Sequence, residues 1–297
     1  MTPPAPSGPR PPPACVRRRL RRCGPWLASA CLLLAGCGAL PTPGERGDEA
    51  RALMAAAGWQ PLRIGAGRFV LQAARSPQTA STSAPVPELA VFIEGDGLAW
   101  RDARTPSDDP TPLDPVALRL ALAGPHRPAA WLARPCQYDD AASSRCTPRD
   151  WTDARWSPEV VDALDAALDR LRAEAGARRL VLVGYSGGGA LAALLAARRD
   201  DVARLVTVAA VLDAQAWTRV HGLTPLTGSL DPASAAPALA TVPQWHFVGA
   251  DDMVTGLAAV QPFIARLPAG APAAVQLQAG FDHACCWARD WHRLSPP

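Results

Sequence analysis

Apolar residues recur along this chain with two periods, and the two alternate. Leu89-Ala90-Val91-Phe92-Ile93, Ala129 to Ala133, Leu180-Val181-Leu182-Val183, Leu205 to Val211, Pro243 to Val248 and Ala273 to Leu277 are short apolar runs. Each is bounded by glycine, proline or charge, as strands buried on both faces are. Leu62 to Ala73 alternates loosely and reads as a further strand. Between these runs the period becomes helical. In the clearest case Val160, Val161, Leu164, Leu168 and Leu171 share one face and Asp162, Asp165 and Asp169 the other. Ser157 is placed to cap that helix, with Pro158 at its first position. Glu49 to Ala57, Pro115 to Ala123, Leu191 to Ala197 and a segment ending at Leu267 also have helical character. Asp213 to Ala240, broken by Pro225, Gly228, Pro232 and Pro237, is irregular. Strand and helix in alternation predict an α/β fold with a mostly parallel central sheet flanked by helices on both faces.

The N-terminus does not share this pattern. Residues 1–16 are proline-rich, without apolar period. Arg17, Arg18, Arg19, Arg21 and Arg22 then precede the apolar stretch from Trp26 to Gly36. A basic segment before a short apolar one reads as a secretory signal, too short to span a bilayer permanently. Its end, Leu34-Ala35-Gly36-Cys37, resembles the lipobox of bacterial lipoproteins. That resemblance implies diacylation of Cys37, which becomes the first mature residue, and Gly38 after it resembles substrates sorted to the outer membrane. A plain signal peptide or signal anchor is the alternative. The expected organisation is a leader over 1–36, a Pro/Gly/charged tether over 37–48 and one α/β domain over 49–297.

Removing the leader reverses the charge. Residues 1–36 hold six of the 30 Lys+Arg and none of the 27 Asp+Glu, so 24 against 27 remain, a net of −3 instead of +3. No basic patch is left to suggest a nucleic-acid partner. Cysteine usage fits export. Beyond Cys15, Cys23, Cys31 and Cys37 there remain Cys136, Cys146, Cys285 and Cys286, an even set that allows two disulfides. Cys136 with Cys146 closes a short polar loop and is the preferred pair; a Cys285–Cys286 bridge would be vicinal and uncommon. Neither spacing resembles a zinc knuckle, so no metal site is expected.

The candidate chemistry lies at strand ends. The run Leu180–Val183 leads into Gly184-Tyr185-Ser186-Gly187-Gly188, and a helical segment follows. A serine on so sharp a turn leaves no room for side chains two residues to either side of it. The Gly-x-Ser-x-Gly elbow between strand and helix resembles the serine hydrolases of the α/β-hydrolase superfamily, of esterase or lipase type. The order Ser, Asp, His along the chain matches as well, and the likeness covers nearly all of residues 49–297. It implies Ser186 as nucleophile, His283 as base and acid, and Asp252 as the carboxylate orienting His283. The family's Gly-x-x-Asp-x-Val pattern fits Gly249, Asp252 and Val254; Asp251 then faces solvent or caps a helix, and Asp213 is the reserve. Asp282 is read as structural. The family places an oxyanion site at Gly187 and at the end of the first central strand. There Glu94-Gly95-Asp96-Gly97 matches by position more than by letter, so Asp96 or Gly97 would join Gly187. The insertion after Asp213 is expected to be cap-like or a surface loop.

Other histidines read as structural or surface: His246 inside a strand, His126 and His292 in polar surroundings, and His221 in the insertion with a chance of touching substrate. Without a phosphate loop or Gly-x-Gly-x-x-Gly, no dinucleotide or other cofactor is expected. The sequence therefore points to an envelope-anchored serine hydrolase cleaving a small-molecule or acyl-ester substrate. Its membrane contact would run through the N-terminal lipid, on the periplasmic side of the outer membrane. A peptidase or acyltransferase with the same triad is the alternative within catalysis, and a non-catalytic envelope lipoprotein the alternative outside it.

Overall fold

The computed structural model describes residues 40–79, 86–124, 128–138 and 145–294. The expected leader, the lipidation site Cys37 and His126 lie outside the described residues. Eight strands form one sheet: β1 (Gln60–Ala66), β2 (Phe69–Arg75), β3 (Val86–Ile93), β4 (Ala129–Leu132), β5 (Ala177–Tyr185), β6 (Val202–Val208), β7 (Gln244–Gly249) and β8 (Ala273–Gln278), in the order β1-β2-β4-β3-β5-β6-β7-β8. The strands from β4 to β8 pair in parallel, and β2 is antiparallel to both β1 and β4.

The helices are α1 (Pro43–Ala56), α2 (Val116–Ala123), α3 (Pro158–Ala175), α4 (Gly187–Arg198), α5 (Ala214–Val220), α6 (Pro232–Ala235), α7 (Gln261–Ile264) and α8 (Trp287–Leu294). The strands divide their side chains between two cores. Leu89, Val91 and Ile93 of β3 and Leu180 and Leu182 of β5 join the core under α3 and α4. Ala90, Phe92, Val181 and Val183 join the opposite one, with residues of α1, α2 and α8. Burial on both sheet faces is why these strands read as unbroken apolar runs. Helix α3 starts as expected, with Ser157 accepting from Val160 N–H and Pro158 following, and it stops at Gly176 in the left-handed region.

The differences have local causes. Helix α1 begins at Pro43, inside the expected tether, because Thr42 and Glu45 form a reciprocal capping box (Glu45 N–H to Thr42 Oγ1 3.3 Å, Thr42 N–H to Glu45 Oε2 2.7 Å). Leu62 to Ala73 is two strands, folded back at Gly67, whose φ is +60°. The run Leu205 to Val211 leaves the sheet at Val208, and Ala209 to Leu212 stay apolar because the turn itself is buried. The helix expected up to Leu267 is only a 3₁₀ turn and the one-turn α7, in a segment that starts at Gly256 with φ +56° and carries Pro262. The C-terminal helix α8 was not anticipated. Its Trp287 and Trp291, one turn apart, are buried, and Trp291 meets Phe92 and Phe247 edge-on at 6.3 and 5.9 Å.

Candidate active site

Ser186 sits between β5 and α4 with φ 51° and ψ −123°, a conformation rarely adopted by side-chain-bearing residues. The glycines make it possible. A Cβ on Gly184 would overlap the Gly188 carbonyl, and one on Gly188 would overlap the carbonyls of Ile93 and Glu94.

The turn lifts the Ser186 hydroxyl to 3.1 Å from His283 Nε2, and His283 Nδ1 lies 3.0 Å from Asp252 Oδ2. Asp252 follows β7 and its side chain is wholly buried. Oδ1 accepts the N–H groups of Val254 (2.8 Å) and Thr255 (2.9 Å), and Oδ2 accepts the Thr255 hydroxyl (2.6 Å). Burial pushes the carboxyl pKa up, but the hydrogen bonds from His283 and Thr255 outweigh it and hold it at about 2. Asp252 is therefore ionised at neutral pH and faces His283.

The loop after β8 holds His283 by its backbone. Its carbonyl accepts from the Tyr185 hydroxyl and from Trp287 Nε1, both at 3.0 Å, and Trp287 Nε1 also reaches the Asp282 carbonyl at 3.1 Å. Asp282 Oδ1 accepts the N–H groups of Ala284 and Cys285 and so closes the turn. Asp251 is exposed. The reserve acid Asp213 caps α5 through Ala216 N–H and pairs with Arg266, with no contact to His283.

Opposite His283 lies the loop after β3. The Glu94 side chain is buried and accepts Trp131 Nε1 (3.0 Å) and the N–H groups of Gly95, Ala117 and Leu118, tying the loop to the start of α2. Burial raises the pKa of this carboxyl. Gly97 turns with φ +67° at a place where a Cβ would overlap the Pro110 carbonyl. Among the described residues no acceptor is bonded to the N–H groups of Asp96, Gly97 or Gly187. The Asp96 carboxylate sits between Arg134 and Arg155.

A cavity of about 440 Å³ opens over Ser186 and His283, with Trp100, Leu113, Trp217 and Val254 in its wall. A second, of about 510 Å³, adjoins it and shares Trp100, Arg155 and Trp217. His221 is exposed and contacts the Trp217 ring (centroids 5.8 Å) without lining either cavity. His246 is fully buried, with Nδ1 2.9 Å from Thr207 Oγ1; burial lowers its pKa to about 3. His292 is exposed. Cys136 and Cys146 are bonded (S–S 2.10 Å, Cα–Cα 5.9 Å), and Cys285 is bonded to Cys286. Among the described residues no cluster of His, Cys, Asp and Glu is placed to hold a metal.

Sequence reading did not single out Tyr185, Thr255, Trp287, Arg134, Gln137 and Arg155 as supports of the site. Only Tyr185, inside the elbow motif, carried a local signal.

The chain has the α/β-hydrolase fold. Residues 136–227 match the family described as the alpha/beta hydrolase fold. Solved structures agree. A puromycin-hydrolyzing peptidase of Mycobacterium tuberculosis is 17% identical with a TM-score of 0.57, over 80% of this chain and 37% of that one. A membrane phospholipase A, described as a bacterial virulence factor, is 15% identical with a TM-score of 0.52, over 85% and 87%. An esterase of Pyrococcus furiosus is 11% identical with a TM-score of 0.52, over 80% and 88%. Against a puromycin hydrolase, this chain spans only 36% of the other's length. No curated protein matches the chain in sequence.

Proposed function

We propose that this protein is a serine hydrolase that cleaves an ester or related acyl bond through an acyl-enzyme, on a Ser186–His283–Asp252 triad. The observation that carries the reading is the continuous hydrogen-bonded line from Ser186 Oγ through both ring nitrogens of His283 to Asp252. Serine is a weak nucleophile unless a base takes its proton. As Ser186 Oγ attacks the substrate carbonyl carbon, its proton passes to His283 Nε2, and Asp252 steadies the imidazolium through Nδ1. The carbonyl π electrons move onto oxygen, which the N–H groups of Gly187 and of Asp96 or Gly97 receive. Collapse of the intermediate expels the leaving group, which takes the proton from Nε2. Water, deprotonated by His283, then attacks the acyl-serine and regenerates the hydroxyl.

Trp100, Leu113 and Val254 line the cavity and stay partly exposed at its mouth, which favours an apolar acyl or alcohol group. The fold is shared by an esterase, a phospholipase and a peptidase, so the bond cleaved is a matter for assay. Lipidation at Cys37 and a place in the bacterial envelope, facing the periplasm, belong to the same proposal; the basic and apolar leader ending in Leu34-Ala35-Gly36-Cys37 supports them.

The test uses residues 38–297 made in an oxidising periplasm, with and without Ser186→Ala. A fluorophosphonate probe should label Ser186 and not the variant. Esters of graded chain length and matched anilides then separate esterase from peptidase. Folded protein that takes no label would point to the non-catalytic reading. Metabolic labelling of the full chain with an alkyne palmitate, lost in Cys37→Ala, tests the anchor.

A further inference from the structure

The Asp96 carboxylate lies directly against the nucleophile turn: a Cβ on Gly187 would overlap Asp96 Oδ1. A bare carboxylate there would oppose any negative charge developing near the Gly187 N–H. It is not bare. Oδ1 is bonded to Arg134 Nη1, and Oδ2 lies 2.8 Å from Arg155 Nη1. Arg134 is 3% exposed and Arg155 5%. Burial and the two guanidinium groups act on the Asp96 carboxyl in opposite senses, and the arginines prevail, holding its pKa below the ordinary value. One carboxylate between two guanidiniums leaves the three-residue cluster net positive, with the carboxylate as the member that touches Gly187.

The arginines are themselves tied down. Arg134 Nη2 donates to the Arg155 carbonyl (2.7 Å), and Arg155 Nε to the Thr152 carbonyl (2.6 Å). Gln137, also buried, completes the frame: its Oε1 accepts Arg134 N–H (3.1 Å), and its Nε2 donates to the Gly95 carbonyl (2.8 Å). Gln137 follows Cys136, which is bonded to Cys146, and Arg134 lies two residues before it, so the gripping residues adjoin a disulfide-closed loop. These contacts hold the Asp96 side chain beside the nucleophile turn, and its own N–H has no acceptor among the described residues.

We propose that Arg134, Asp96 and Arg155 form a buried clamp that positions the Asp96–Gly97 backbone as oxyanion donor beside Gly187 and keeps the cluster near the forming oxyanion net positive. The inference rests on the acyl-transfer reading above. Their side chains are positioning groups that act through the loop; only the backbone N–H of Asp96 or Gly97 meets the oxyanion.

Two roles are joined in the clamp, placement and charge, and Asp96→Asn separates them. That change raises the net charge of the cluster while removing one of the acceptors that hold the arginines. If placement dominates, kcat falls; if charge alone matters, kcat rises. The kinetics use an ester that the wild type turns over, and kcat is taken per Ser186 titrated with fluorophosphonate, so unfolded molecules drop out.

We expect kcat to fall about 10²-fold in Arg155→Met, the scale of losing one oxyanion donor, and about 10-fold or more in Asp96→Asn, with KM within threefold. Affinity for a boronic acid that mimics the tetrahedral intermediate should fall by the same factor as kcat. Arg155→Lys, which keeps the charge but not the bond to Thr152, should recover part of the loss. Values of kcat within threefold of wild type in both Arg155→Met and Asp96→Asn would overturn the clamp, as would losses that leave boronate affinity unmoved. A rise in Asp96→Asn would overturn the placement role. Absence of both labelling and ester turnover in the wild type would instead remove the hydrolase reading, and the clamp with it.

Discussion

The two flanks of Ser186 are built differently. On the histidine flank, most supports lie close in sequence to the side chain they set. Asp252 is held by Val254 and Thr255, and His283 by the Asp282 turn and Trp287, with Tyr185 reaching across. On the proposed oxyanion flank, the 94–97 loop is held by groups from far along the chain: Arg134 and Arg155 are 38 and 59 residues from Asp96. Ionised groups on the first flank are few and neighbourly; on the second, three charged side chains are buried together. The lesson concerns tolerance. A flank made of local turns can lose one support and keep its shape, whereas a buried charge cluster that loses one member leaves the others unpaired.

The largest effect should come from breaking the histidine flank at its chemical groups. Asp252→Asn should lower kcat by about 10⁴-fold by releasing the tautomer of His283, whereas Thr255→Ala, which removes only one support, should cost about 10-fold or less. Steady-state ester hydrolysis reads both. Next comes the oxyanion flank. Gly97→Val forces a side chain into the Pro110 carbonyl at a positive φ, and should lower kcat by about 10²-fold with a smaller change in KM. Near-wild-type kcat would mean the loop does not serve the chemistry.

The disulfides sharpen the comparison. Removing Cys136–Cys146 by double serine substitution should cost about 2–3 kcal/mol in urea unfolding, as expected for a short closed loop, and lower kcat severalfold through Gln137 and Arg134. The matching Cys285/Cys286 change should affect kcat less, because Tyr185 and Trp287 hold the His283 carbonyl independently of sulfur.

The effect furthest from the chemistry is a slope of stability with pH. His246, on the strand that delivers Asp252, has its pKa lowered to about 3 by burial. Unfolded, it takes a proton near pH 6.5; folded, it does so only near 3. Stability should therefore be full above about 6.5 and fall by roughly 1.4 kcal/mol per pH unit as pH drops toward 3. His246→Leu should flatten that slope in denaturant titrations from pH 7 to 4. Asp252, lowered to about 2, adds stability that is full above the ordinary aspartate range and is lost progressively as pH falls from that range through 2.

Much of the fold was legible because its signals are short-range. The runs at Leu89 and Leu180 read as buried strands, and the Val160–Leu171 stripe with Ser157 and Pro158 read as a capped helix; each needs only a few neighbouring residues to specify it. Where local composition misled, burial or capping had overridden it. The turn after Val208 is as apolar as a strand because it is equally buried, and Thr42 with Glu45 starts a helix in what looks like linker. The Trp287–Trp291 helix was missed because one turn of spacing between two aromatics is a weak signal until a sheet face is there to receive it.

For the site, the sequence by itself determined the residue types and their strand-end positions: the glycines around Ser186, an acid after β7 and His283 after β8. It could do so because a strained elbow and a strand-end loop are local events, written within about five residues. The resemblance at Gly249 and Val254 favoured Asp252, and the tertiary structure brings that acid against His283. It directed Asp213 to Arg266 and Asp252 to His283, 31 residues away. It alone brought Arg134, Asp96 and Arg155 together, because a buried charge finds its partners only when the sheet and its loops have closed around it.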